Sequence, residues 1–204
     1  SAASDVYKRQ MFPGTALMPA TCKDLKEQAY KAGKQIIKLA KMDLTARDIV
    51  TMKSFENAIM VHAAISGSTN SLLHLPAIAS EFGIDLNADL FDQMHQNAHY
   101  LLDIRPAGKY PAEYFYYAGG VPAVMEAIKE NLNLDVMTVT GKTLGENLEE
   151  LKNNGYYENC QTFLDKINLK STDIIRPYDD PIGKDGTIAI LKGNLAPDGA
   201  VIKH

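Results

Sequence analysis

Cysteine is scarce in this chain. Only Cys22 and Cys160 occur in 204 residues, far apart and without a Cys-x-x-Cys spacing, so both read as free thiols in a reducing compartment. Long apolar runs are missing too. None approaches the roughly 20 residues needed to cross a bilayer, and the N-terminus lacks the charged-then-apolar pattern of a secretory signal. The expectation is therefore no membrane and a cytoplasmic location. Cationic excess is absent as well: Lys+Arg 21 stand against Asp+Glu 25, for a formal net charge of -4. The basic residues form no stripe and no aromatic residues alternate with arginine, which sets nucleic acid and anionic membranes aside as partners.

What is present is a globular composition, 46% hydrophobic, enough for one core or for one domain plus a piece of another. The first ten residues, "SAASDVYKRQ", share neither the period nor the turn chemistry of the rest. "DVYKRQ" resembles a translated sequencing adapter, and residues 1–10 are set aside as non-native. In "MFPGTALMPA", Pro13-Gly14 and Pro19 punctuate an apolar loop. Leu25, Ala29, Ala32, Ile36, Leu39 and Ala40 then recur at helical spacing and predict an amphipathic helix from Lys23 to Met42. Thr45 and Asp48 form a weak capping box. "SFENAIMVHAAI", opened by Ser54, is apolar almost all round and predicts a fully buried helix.

The small-residue break Ser66-Gly67-Ser68-Thr69-Asn70 comes next. Asn70 or Ser71 can cap a second helix running to Phe82, with Gly83 as its stop, and Asp89 can cap another. Gly119-Gly120 precede Pro122 at a predicted helix start. "DVMTVTG" is a short β-branched run and "KTLGENLEEL" is helical again, an alternation that suggests α/β or α+β layers. Residues 153 to 173 carry the weakest pattern, with Asn153-Asn154-Gly155 as a turn. "GTIAILKGNLAPDGAVIKH" reads as strand, Pro-Asp-Gly turn, strand. Both ends of the chain read as interrupted, so a fragment is expected.

Four stretches carry a resemblance: "SFENAIMVHAAISGSTNSLLHLPAIASEFGI", "YYAGGVPAVMEAI", "VMTVTGKTLGENL" and "GTIAILKGNLAPDGAVIK". In this order they resemble the dihydroxy-acid and sugar-acid dehydratase family, over a span from about Phe12 to His204. The resemblance implies an α/β fold: part of a helix-rich layered domain over residues 11–186, then the first strands of a β-barrel-like domain over 187–204. It implies a hydro-lyase that turns a 2,3-dihydroxy carboxylic acid into a 2-keto acid, with an iron-sulfur cluster as Lewis acid and Mg²⁺ holding the substrate, in a homodimer or homotetramer. Hydroxide is a poor leaving group and the C2 proton a weak acid, so a metal and a base are both needed. "YFYYAGG" tilts the substrate toward sugar acids over the branched-chain acid. The family's cluster and base motifs are not in this chain. Neither Cys22 nor Cys160 matches a cluster position, and Gly67 stands where some members carry cysteine. Hence no cofactor is expected to bind these residues alone, and a non-catalytic scaffold or interaction module stays open as the alternative.

Candidate substrate-lining residues are Ser68, Thr69, Asn70, His74, Gly119 and Gly120. The Ser68–Asn70 loop combines hydroxyls and an amide with N–H groups at a helix start, a cradle for carboxylate or phosphate. Alternatively it only caps the following helix. The family form usually has glycine at the position of Ser66, which matters if that position needs positive φ. His74 reads as a core histidine or as a group aimed at the same site, and His62 as a weaker candidate still. Gly119-Gly120 allow close packing or contact an anion. Asn194 and Asp198 shape a turn.

Overall fold

The computed structural model describes residues 11–204; the segment 1–10, set aside above, lies outside the described residues. Ten helices and one hairpin are described, and the core gathers around one of the helices. Helix α1 (Asp24–Lys41) lies within one residue of the expected bounds at each end. Its apolar face is largely uncovered: only Leu39 is buried, while Leu25 and Ile36 are exposed. A four-residue helix α2 (Ala46–Ile49) has the Thr45/Asp48 capping box. Helix α3 (Met52–Ala64) starts two residues before the expected Ser54, because Thr51 is the cap and Ser54 occupies the third helical position. As expected from its all-round apolarity, α3 is almost wholly buried, with Phe55, Ala58, Ile59, Val61 and Ala63 at its centre.

Helix α4 (Ser71–Glu81) is stopped by Gly83. Helix α5 (Ala88–Gln96) corrects the expectation for Asp89: Asn87 is the cap, its side chain accepting from the Leu90 N–H, and Asp89 lies in the first turn. Asn fits because it caps from an extended backbone, outside the helix. Helices α6 (Ala112–Tyr117) and α7 (Gly120–Ala127) follow, then a 3₁₀ turn at Lys129–Asn131. The β-branched run "DVMTVTG" forms no strand. It makes a tight turn closed by a single bridge from Met137 to Thr143, and Thr143 caps α8 (Leu144–Asn153) with Glu146 completing a capping box. The weakly patterned stretch 153–173 is also mostly helical, with α9 (Tyr156–Asp165) and α10 (Ser171–Ile174).

Four helices end alike. Asp43, Ser66, Gly83 and Asn168 have positive φ, and in each case the next residue's N–H returns to a carbonyl five residues back: Leu44 to Leu39, Gly67 to His62, Ile84 to Ala79, Leu169 to Leu164. This is the Schellman termination, in which the left-handed residue lets the chain fold back over orphan carbonyls.

Strands β1 (Ile188–Gly193) and β2 (Ala196–Lys203) form an antiparallel hairpin. Its turn is Asn194-Leu195, between paired Gly193 and Ala196. The expected Pro-Asp-Gly turn instead lies inside β2, where the register slips between the Leu191–Ala200 and Gly193–Ala196 pairs. Pro197 cannot donate to a ladder and Gly199 has φ 108, so the three residues suit a bulge. The architecture is thus helix-rich with a terminal hairpin, as the fold class anticipates. The hairpin sits on α5: the Ile190 N–H donates to Asp92 Oδ1 at 2.7 Å, and Lys192 pairs with Asp89. Among the described residues no helix is long and apolar enough to cross a membrane.

Candidate functional site

The break after α3 is made by two residues. Ser66 takes the left-handed conformation, φ 52, in a position that glycine favours. Gly67 packs so closely on the His62 ring that a Cβ there would overlap it. The Ser66 hydroxyl shares a hydrogen bond of 2.8 Å with that of Thr187, just before β1. From the end of β2, Lys203 Nζ donates to the Ser66 and Gly67 carbonyls at 2.8 and 3.2 Å. The loop is therefore clamped from the hairpin side.

Beneath it lie two fully buried imidazoles. His62 Nδ1 is 3.1 Å from His95 Nε2, and His62 Nε2 is 2.9 Å from the Ser68 carbonyl oxygen. The Ile188 N–H donates to His95 Nδ1 at 3.3 Å. Burial pushes His62 down to about 4 and His95 to about 3, with Lys203 adding to the first and His62 and His204 to the second. Both rings are neutral at pH 7.

The candidate residues themselves are exposed. Ser68, Thr69, Asn70 and His74 lie on the surface, so His74 is not the core histidine that its leucine neighbours suggest; Leu73 beside it is 72% exposed. Asn70 does not cap α4 through its side chain, because its backbone is already helical. Only Ser68 Oγ is used locally, accepting from the Asn70 N–H at 3.3 Å. Among the described residues nothing is hydrogen-bonded to the Thr69 or Asn70 side chains or to the Ser68 and Thr69 N–H groups.

Gly119 and Gly120 are elsewhere. Both have positive φ, 99 and 61, and the Gly119 carbonyl accepts from Tyr156 Oη at 3.2 Å. Gly120 borders an apolar cleft with Pro13, Leu17, Met125, Leu144 and Leu148, and Ser68, Thr69, Asn70 and His74 are not in its lining. The polar residues at its rim, Thr138, Thr140 and Asn147, are hydrogen-bonded to one another at 2.7 to 2.9 Å. The cleft suits helix packing better than an anion. The two groups of candidates thus face two different places.

Residues 10–147 match the sequence model described as dihydroxy-acid/6-phosphogluconate dehydratase N-terminal, and residues 173–204 match its C-terminal counterpart. The chain belongs to this dehydratase family. Its relatives include the dihydroxy-acid dehydratase of Caldicellulosiruptor bescii, 42% identical over 94% of this chain and 32% of the relative. Dihydroxy-acid dehydratase 1 of Methanosarcina acetivorans is 44% identical over the same shares. The chain spans about a third of the length of these relatives.

The donors present do not fit an iron-sulfur cluster of the kind that the dehydratase family implies. Cys160 is buried, and burial raises its thiol pKa, opposed by a hydrogen bond with Tyr156, whereas a cluster ligand must be a thiolate. Cys22 lies against Tyr116, whose hydroxyl is pushed up to about 12, chiefly by burial. Among the described residues no group of three or more His, Cys, Asp or Glu side chains is placed to hold a metal ion.

Sequence reasoning ranked His62 below His74 and passed over His95, Thr187 and Lys203. One signal was available: His62 lies in a stretch that reads as a helix apolar almost all round, and an imidazole buried there needs partners for its nitrogens.

Proposed function

We propose that this chain is part of a hydro-lyase that dehydrates a 2,3-dihydroxy carboxylic acid to a 2-keto acid, working in the cytoplasm as a homodimer or homotetramer, and that Ser68, Thr69 and Asn70 contact the substrate. Family membership and the relatives' shared name support the reaction class. The observation that carries the loop assignment is the unspent polar groups of Thr69 and Asn70, held exposed on a loop clamped from below and from the hairpin. Ser68 Oγ alone caps the start of α4, accepting from the Asn70 N–H, which leaves the side chains of Thr69 and Asn70 without a capping role. Two N–H groups, a hydroxyl and an amide can together bind a carboxylate or a substrate hydroxyl.

The iron-sulfur cluster and Mg²⁺ of the family, which supply the Lewis acid, would need ligands other than the residues described here. The relatives' name favours a dihydroxy acid without favouring an aldonate. The run "YFYY" that tilted the reading toward sugars is engaged in packing: Phe115 is buried, and Tyr117 stacks on Phe163 at 4.9 Å. The scaffold alternative gains no support from the relatives.

Thr69→Ala in an enzyme that carries this segment within the complete family chain separates binding from architecture. Loss of a contact made in the transition state lowers kcat/KM per cluster with little change in melting. A fall in melting at unchanged kcat/KM rejects the assignment.

A further inference from the structure

The buried imidazole pair has no part in that reading, yet it joins the hairpin segment to the loop. A backbone N–H can only donate, so Ile188 fixes His95 Nδ1 as an acceptor. The neutral His95 ring then carries its proton on Nε2, which faces His62 Nδ1. His62 in turn carries its proton on Nε2 and donates to the Ser68 carbonyl. The direction of every bond follows from the first.

The backbone is shaped around both rings. Gly67 lies against His62 and Gly186 against His95, and at either position a Cβ would overlap the imidazole. The Gly186 N–H also donates to the His95 carbonyl at 2.6 Å. Two polar rings buried in this way cost free energy unless their nitrogens are bonded; an apolar pair would fill the space without that demand. Around the pair stand Lys203 on the His62 side and, on the His95 side, His204 and Asp92, the last bonded to the Ile190 N–H. Asp89 and Lys192 pair at the outer end.

We propose that His62 and His95 are positioning residues for the Ser68–Asn70 loop, transmitting the docking of the β1/β2 hairpin to it through one directional line of hydrogen bonds. Its bearing on turnover rests on the reading of that loop as a substrate contact; the relay itself is a property of this chain.

The test uses the chain as it stands, with ¹⁵N-labelled histidine. At pH 7 both rings should show an unprotonated Nδ1 and a protonated Nε2, with a scalar coupling across the hydrogen bond between His95 Nε2 and His62 Nδ1. Packing alone would produce no such coupling. An Nδ1–H tautomer or an imidazolium at either position, or absence of the coupling, overturns the proposal. Two variants then ask which link sets the loop. Gly186→Ala displaces His95 from the hairpin side and should remove the coupling. It should also speed hydrogen exchange at the Ser71 and Leu72 amides, which bond the Ser68 and Thr69 carbonyls, at least about tenfold. Lys203→Met cuts the direct contact and should preserve the coupling with a smaller change in exchange. If Lys203→Met loosens the loop as much as Gly186→Ala does, the direct contact carries the linkage and the relay is rejected. If Gly186→Ala does not fold, the coupling in the unmutated chain decides. A relay confirmed in this way while Thr69→Ala leaves kcat/KM unchanged would reject the substrate reading and leave the relay standing.

Discussion

Ser66 stands where α4 uses Gly83 and carries the same left-handed backbone at the same kind of helix end. For an L-residue with a Cβ that conformation costs about 1 kcal/mol or more, and the hydroxyl contact with Thr187 offsets part of it. Ser66→Ala keeps the strain and loses the contact, whereas Ser66→Gly loses both. Ser66→Gly should therefore be the more stable variant by about 1 kcal/mol, checked by urea denaturation of the two side by side. The histidine pair gives a pH dependence. Both rings titrate lower in the folded chain than the usual 6.5, His62 at about 4 and His95 at about 3, so protons bind the unfolded chain preferentially. Stability is fully present above pH 6.5 and falls as the pH drops from there toward those folded values. Most of this window lies above the carboxylate range, so a melting temperature that stays flat from pH 7 to pH 5 would count against neutral buried histidines. The loop was legible at this scale as a break of small polar residues. Its dependence on His95 and Thr187 was not, because His95 lies 33 positions from His62 and Thr187 lies 121 positions from Ser66.

Among the elements, capping chemistry separates Asn87 from Asp89. The Asn87 side chain accepts from the Leu90 N–H at 3.0 Å, so Asn87→Ala should cost about 1 kcal/mol. Asp89 forms an exposed ion pair with Lys192, a kind of contact worth about 0–1 kcal/mol and weakened by salt. Asp89→Ala should therefore shift the urea midpoint less than Asn87→Ala, and the difference should persist in 1 M salt. Periodicity located α1 to within a residue because Leu25, Ala29, Ala32, Ile36 and Leu39 mark one face. It could not show what covers that face, and among the described residues most of it stays open. Helix α9 was missed for the opposite reason. Its buried positions, Cys160 and Leu164, are few and sit among polar residues, so the helix is held by contacts with other elements more than by its own pattern. "DVMTVTG" misled by composition: β-branched residues favour strands, but Thr138, Thr140 and Asn147 turn their polar groups onto one another and close a turn.

For the molecule as a whole, the donor set sets the limit. With no cluster-ligand set among the described residues, this polypeptide on its own should show no iron-sulfur absorbance after anaerobic reconstitution and no turnover of dihydroxy acids. Stoichiometric iron and sulfide together with product would refute that. Sequence alone was enough for family membership, the positions of α1, α3, α4 and α8, the buried character of α3 and the hairpin at the end, because these depend on local periodicity, on capping and turn residues and on ordered motifs. Tertiary structure decided the rest. Whether a polar group is unspent depends on what lies beside it: Thr69 and Asn70 stay open, Gly119 gives its carbonyl to Tyr156, and His74 projects outward while His62 is enclosed. Where the Pro-Asp-Gly bend falls depends on the partner strand, which pairs Gly193 with Ala196 and leaves those three residues to a bulge. Burial and long-range hydrogen bonding are properties of distance in space, and neither is written in the order of residues along the chain.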